Sequence, residues 1–345
     1  MTQSNLEAAR ADYYDSLKPH ALAPLWTVLD ALVTAEPRSP IVPFGWSYDA
    51  IRPILMEAGE LISAEEAVRR VLILENPALS GKACITRTMY AGLQLILPGE
   101  IAPCHRHSQS ALRFVLEGEG AYTAVDGERA IMRPFDLVLT PNGRWHDHGN
   151  DSDAPMIWLD GLDIPLVTAL DASFAETLTD GVQHPTLLSA GDCQMRYGAN
   201  LKPVRGGGET TAAAPLFHYP FEQWRTALVR SAQNSDIDPR DGMFMEFTNP
   251  ADGGPVMNTI SAFCQFLPSD FVGEVQQSTD GLIFVGVEGT GTIYVNDQAF
   301  PIGPRDVVVV PSWAKRRIDA ASDLILFSYS DRATQQKLGL WKQAG

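Results

Sequence analysis

Pro103-Cys-His-Arg-His-Ser-Gln-Ser-Ala-Leu-Arg113, followed further on by Pro141-Asn-Gly-Arg-Trp-His-Asp-His148, decides how the rest of this chain reads. His105 and His107 are separated by one residue. Side chains alternate along a strand, so the two imidazoles share one face. His146 comes about 40 residues later, after a Pro141-x-Gly143 turn signal, at a distance that suits a neighbouring strand of a folded-back barrel. Three imidazoles converging there suit Fe, Zn, Cu or Ni. His148 lies two residues past His146. It either faces the same cavity or sits in a turn, and the cavity is the favoured reading. These four histidines are four of seven in the chain, inside one 44-residue window.

Around this window the pattern is one of short strands. Thr86 to Leu97, Leu112 to Leu116, Ala121 to Val125, Arg129 to Met132, Leu137 to Thr140 and Met156 to Leu162 are separated by Gly, Pro and the hairpin signal Asp126-Gly127. Such spacing predicts a β-sandwich or jelly-roll barrel. The pattern then recurs. Glu117-Gly-Glu-Gly120 matches Glu288-Gly-Thr-Gly291 at an offset of 171, and Asp136-Leu-Val-Leu-Thr-Pro141 matches Asp306-Val-Val-Val-Val-Pro311 at 170. The order indicates a duplicated β domain. At the places of the three histidines the second copy carries Gln276, Ser278 and Arg316. Those cannot hold a transition metal, so the duplicate is expected to be structural.

Residues 1–78 read as a mostly helical arm, with Ser63-Ala-Glu-Glu66 as a capping box opening a helix over 64–70. Residues 79–165 form the metal-binding domain, 166–240 a linker with a helix over 220–231, 241–331 the degenerate second domain, and 332–345 a tail. Arg205-Gly206-Gly207-Gly208 reads as an exposed loop. The 345 residues carry 42 acidic against 26 basic side chains, a net charge of −16. That balance argues against nucleic acid as a partner, which calls for a basic face. No stretch approaches the ~18–20 apolar residues of a membrane span. Cys84, Cys104, Cys193 and Cys264 are widely spaced and read as free thiols of a cytoplasmic protein.

An acidic chain must build its own positive field to hold an anion. Arg113, six residues after His107, shares its face if the strand is regular. A guanidinium there suggests a carboxylate substrate held by two parallel hydrogen bonds. One of Arg69 and Arg70 is expected to point inward. Tyr90, Gly92 and Gln94 fall at even spacing, with Tyr90 as a ring-stacking wall or as core packing. Asp160 would be costly to bury unpaired and is expected to pair with His148 or an arginine.

The run Gly99-x5-His105-x-His107, with Gly118 and then Pro141-x-Gly143-x2-His146-x3-Asn150, resembles the two cupin motifs. The glutamate usual in metal-binding cupins is absent, its places holding Ala111 and Leu112. With Tyr48 to Gly59, Glu65 to Pro77, Trp145 to His148 and Asn249 to Pro255, the chain resembles the gentisate 1,2-dioxygenase family. That resemblance implies a mainly β bicupin of two jelly-roll barrels with a helical N-terminal arm. It implies Fe(II) on His105, His107 and His146, with O2 as co-substrate. It places Arg113, His148 and Asp160 in catalysis and Gln94, Tyr90, Gly92 and Arg69 or Arg70 in the substrate pocket. The implied reaction is cleavage of gentisate between its carboxyl- and hydroxyl-bearing carbons to maleylpyruvate, in aromatic catabolism by a homotetramer. Salicylate or 1-hydroxy-2-naphthoate 1,2-dioxygenase of the same family is the alternative, and a non-enzymatic metal-binding cupin is the rival.

Overall fold

The computed structural model describes residues 3–178, 187–201, 204 and 215–344, so the Arg205 to Gly208 loop lies outside the described residues. Met1–Arg38 is one unit, with the helix Gln3–Leu17, single turns at Lys18–His20 and Leu25–Thr27, and the short helix Leu29–Leu32. Ser39–Gly345 is the other.

The second unit holds the two expected barrels. In the first, one sheet runs His218–Tyr219, Leu137–Thr140, Ala111–Glu117, Met156–Leu162, Tyr90–Ile96, Arg70–Ile73. The other runs Ala175–Thr177, Ile101–His107, His146–Asn150, Ala121–Val125, Glu128–Ile131. In the second barrel the order is Phe44–Trp46, Val307–Val310, Leu282–Glu288, Leu324–Ser330, Ser261–Leu267, Met243–Glu246, with a smaller sheet of Gln298–Ile302, Gly291–Val295 and Arg316–Ala320. Leu137–Thr140 and Val307–Val310 are buried along their whole length, which is why they read as unbroken apolar runs without alternation. Asp126 and Gly127 both take positive φ, 47° and 82°, the conformation a two-residue hairpin turn requires.

The duplication holds strand for strand in the six-stranded sheets, while in the smaller sheet of the second copy the counterpart of Ile101–His107 is reduced to isolated bridges at Val272 and Gln276. His105 is in register with His146, and Gln276 bridges Arg316 at the equivalent place. Asp160 lies opposite Arg113 and Gly92, as Ser328 lies opposite Phe284 and Phe263. Arg316–Ala320 and Leu324–Ser330 complete the second copy, although the sequence pattern did not mark them.

Two strands, Phe44–Trp46 and Arg70–Ile73, interrupt the stretch expected to be helical. The first explains how the barrels are joined. Phe44–Trp46 pairs with Val307–Val310 of the second barrel, and the helix Tyr48–Leu61 then begins with its Tyr48 N–H donating to Asp306 Oδ1 at 2.8 Å. The mirror-image arm pairs His218–Tyr219 with the first barrel and starts the helix Phe221–Asn234 with the Phe221 N–H on Asp136 Oδ1, also at 2.8 Å. Neither helix has a side-chain cap of its own. A distant carboxylate satisfies an orphan amide and complements the positive end of the helix dipole. Arg52 then grips Glu117, at 2.6 and 2.5 Å, and Arg225 grips Glu288, at 2.7 and 2.8 Å. Each arm is therefore capped by one barrel and ion-paired to the other.

Candidate metal centre

Ile101–His107 and His146–Asn150 are adjacent antiparallel strands, and their register sets His105 directly opposite His146. His107 shares the face of His105 two residues on. Among the described residues, His105, His107 and His146 are the group able to hold a metal ion, with ligand atoms within 4.8 Å of one another. All three are buried.

The backbone sets their tautomers. Nδ1 of His105 lies 2.9 Å from the Pro103 carbonyl, that of His107 2.9 Å from Gln109 O, and that of His146 2.9 Å from Arg144 O. A carbonyl can only accept, so each Nδ1 carries the proton and each Nε2 keeps a lone pair for the centre. His146 Nε2 is buried with no hydrogen-bond partner, the mark of an atom that serves as a ligand. Burial, with the nearby arginines, pushes the His105 pKa down to about 3 and the His107 pKa down to about 4, and holds His146 well below its usual range. The three imidazoles are neutral at pH 7, as metal ligation requires. Metal uptake should therefore release no imidazole protons between pH 6 and 8. Affinity, measured by chelator competition, should be flat there and fall only as pH drops towards 4. An affinity that climbs tenfold per pH unit through 6–7 would contradict these pKa directions.

Opposite the histidines, Gly92, Asp160 and Arg113 form a row across three paired strands. Arg113 Nε is 3.5 Å from Asp160 Oδ1, and its Nη1 donates to Thr140 Oγ1 at 2.5 Å. Trp158 Nε1 donates to the same Asp160 oxygen at 3.0 Å. Burial pushes the Asp160 carboxyl up, opposed by Arg113 and Arg69, and pushes Arg113 down to about 10, opposed by Asp160. Arg113 remains a cation. The expected arginine partner of Asp160 is thus Arg113.

His148 is fully buried, 5.7 Å ring to ring from His146, so it faces the cavity. Its Nδ1 is 2.9 Å from Thr123 Oγ1, its register partner, and its Nε2 has no partner. The structure separates the two adjacent arginines. Arg69 Nη2 contacts His105 Nε2 at the centre. Arg70, expected as an alternative, is spent elsewhere, on Glu100 at 2.9 and 3.0 Å and on the Ile62 carbonyl. The Ser63 cap forms, accepting from Glu66 N at 3.1 Å, but the helix stops at Ala67. Val68, at φ 56°, then turns the chain so that the two arginines part.

Gln94 is buried on the same strand face as Tyr90 and Gly92. Gly92 is required by its neighbours, since a Cβ there would stand 2.6 Å from both Tyr90 Oη and Val71 Cγ1. Gly92→Ala should displace the Tyr90 phenol and alter substrate preference while metal content holds. Unchanged kcat/KM values across a substrate panel would show that Tyr90 does not border the substrate. Thr123 and Thr140 went unmarked in the sequence because each acts through a cross-strand partner, and Trp158 because it acts through Asp160, two residues along its own strand.

The second barrel lacks more than ligands. At the positions of Gly92, Arg113, Thr123 and His148 it carries Phe263, Phe284, Ile293 and Ile318, all in its own apolar core. Its interior is filled.

Residues 92–162 match the Cupin domain family. Gentisate 1,2 dioxygenase 1 of Aquipseudomonas alcaligenes is 50% identical over 97% of this chain and 96% of its own length. The chain belongs to the gentisate 1,2-dioxygenase family. Another member, 5-aminosalicylate 1,2-dioxygenase of a Comamonas species, is 35% identical over 99% of this chain and 90% of its own length. In structure, a salicylate 1,2-dioxygenase mutant from Pseudoaminobacter salicylatoxidans, solved in complex with gentisate, superposes with a TM-score of 0.92 at 33% identity, covering 100% of this chain and 96% of that one. No helix among the described residues is long and apolar enough to cross a membrane.

Proposed function

We propose that this chain is an Fe(II)-dependent dioxygenase that cleaves gentisate with O2, between the carbons bearing the carboxyl and hydroxyl groups, to maleylpyruvate. The observation that carries this is the convergence of three neutral, backbone-oriented imidazoles on a buried guanidinium, in a chain half identical to a gentisate 1,2-dioxygenase. When bound, Fe(II) supplies coordination positions for the substrate oxygens and O2 and the redox chemistry that couples them.

The remaining work falls to the chain. Arg113 takes the substrate carboxylate, its planar fork held by Thr140 and Asp160. Arg69 adds a second positive charge at the histidines. Arg69 and Arg113 against Asp160 leave the pocket cationic, which offsets the net charge of −16 that would otherwise repel an anion. His148 presents Nε2 to the cavity to hold or move a proton on a substrate or oxygen atom. Tyr90 and Gln94 border the ring, and Gly92 leaves room for the Tyr90 phenol. Residues 79–165 act as the metal-binding domain and 241–331 as its degenerate partner, linked by 166–240, in a cytoplasmic homotetramer.

The test is a panel of gentisate, salicylate, 5-aminosalicylate and 1-hydroxy-2-naphthoate with the Fe(II)-loaded protein, read by oxygen uptake and product absorbance. Gentisate should be cleaved most efficiently. A preference for salicylate would move the chain to the alternative within the family, and a silent panel would overturn the enzymatic reading.

A further inference from the structure

The duplication equates Gly161 and Tyr329, each the sixth residue of a seven-residue strand, Met156–Leu162 and Leu324–Ser330. The two meet. A Cβ on Gly161 would stand 2.8 Å from both Cε2 and Cζ of Tyr329, so the ring packs directly against the strand next to Asp160. Tyr329 is fully buried, and its hydroxyl donates to the Tyr90 carbonyl at 3.0 Å. The reciprocal contact, from position 161 to the second barrel, cannot exist because glycine has no side chain. Beside this pair, Phe327 stacks on Phe114 at 4.0 Å, with planes 5° apart, behind Arg113. A generic interface between two copies of one fold would repeat its contacts about the pseudo-two-fold axis. The bonds of Thr88 to Asp331 and of Thr259 to Asp163 do repeat in this way, whereas the Tyr329 contact runs one way only, from the filled barrel to the metal-binding one.

We propose that Tyr329 is a positioning residue for ring cleavage, reaching the site from the second barrel. It clamps the first residue of Tyr90–Ile96 and so fixes where the Tyr90 side chain stands over Gly92. The proposal rests on the reading above that Tyr90 borders the substrate ring. It gives the second barrel a part in substrate fit. A hydroxyl on a buried strand-end carbonyl costs little conformational freedom, and its loss removes one buried hydrogen bond from the interface.

The experiment compares Tyr329→Phe, Gly161→Ala and Tyr90→Ala with wild type as full-length, iron-loaded proteins. Iron content, melting temperature, kcat, KM, the anaerobic Kd for gentisate, and the kcat/KM ratio of gentisate to 1-hydroxy-2-naphthoate are measured. Tyr329→Phe should retain iron and raise KM and Kd by about three- to ten-fold, the loss of one hydrogen bond. The substrate ratio should shift in the same sense as in Tyr90→Ala. Gly161→Ala, which keeps the hydroxyl and displaces the ring, should shift the ratio likewise and serves if the phenylalanine variant fails to fold. If Tyr90→Ala moves the ratio while the folded variants at 329 and 161 lower only the melting temperature, Tyr329 is structural and the proposal falls. If Tyr90→Ala also leaves KM, Kd and the ratio as in wild type, the reading of Tyr90 falls and takes this one with it.

Discussion

Alanine at His146 is expected to abolish metal binding and turnover together while leaving the barrels folded. The three ligands are neutral and no carboxylate among the described residues joins them, so losing one imidazole removes a third of that donor set. The strand beneath it is held independently, by pairing with Ile101–His107 on one side and Ala121–Val125 on the other. The deleted ring leaves one less unpartnered polar atom in the interior. Bound metal should fall to trace, and gentisate cleavage below detection, with an unchanged far-ultraviolet spectrum. His105→Ala and His107→Ala should behave alike. Any of the three that keeps both iron and turnover would remove the metal assignment.

The second large effect belongs to Arg113→Leu. Two losses are superposed in it, and they can be separated. Asp160 would be left buried without its cation, which costs about 3–5 kcal/mol of stability. The substrate carboxylate would lose a two-pronged partner, and charge-assisted bonds of ~1.5–3 kcal/mol each translate into a fall in kcat/KM of about 100-fold or more. Adding Asp160→Leu should restore much of the melting temperature, since an apolar pair replaces a broken ion pair. It should not restore gentisate handling. An unchanged kcat/KM in Arg113→Leu would end the anchoring role of Arg113.

Much of this site was legible beforehand because strand periodicity is a local property. The i, i+2 rule alone put His105 with His107, His146 with His148, and Tyr90 with Gly92 and Gln94 on common faces. What could not be read locally was register. That Asp160 answers Arg113, that Thr123 answers His148, and that Arg69 turns in while Arg70 turns to Glu100 are consequences of pairing between distant strands and of one turn at Val68. The same limit hid the arms. Asp136 and Asp306 stood out as matching residues of a repeat, but their use as helix caps spans 85 and 258 residues of chain.

By itself, then, the sequence determined the barrel class, its duplication, the three converging imidazoles, and a second copy without ligands. These follow from residue type and spacing along one strand. Only the tertiary structure decided how that second copy is used. Its cavity is filled by Phe263, Phe284 and Ile318, its sheet lies behind Arg113, and Tyr329 reaches Tyr90 across the interface. Such contacts depend on which faces of two sheets are pressed together, and no periodicity within either sheet encodes that.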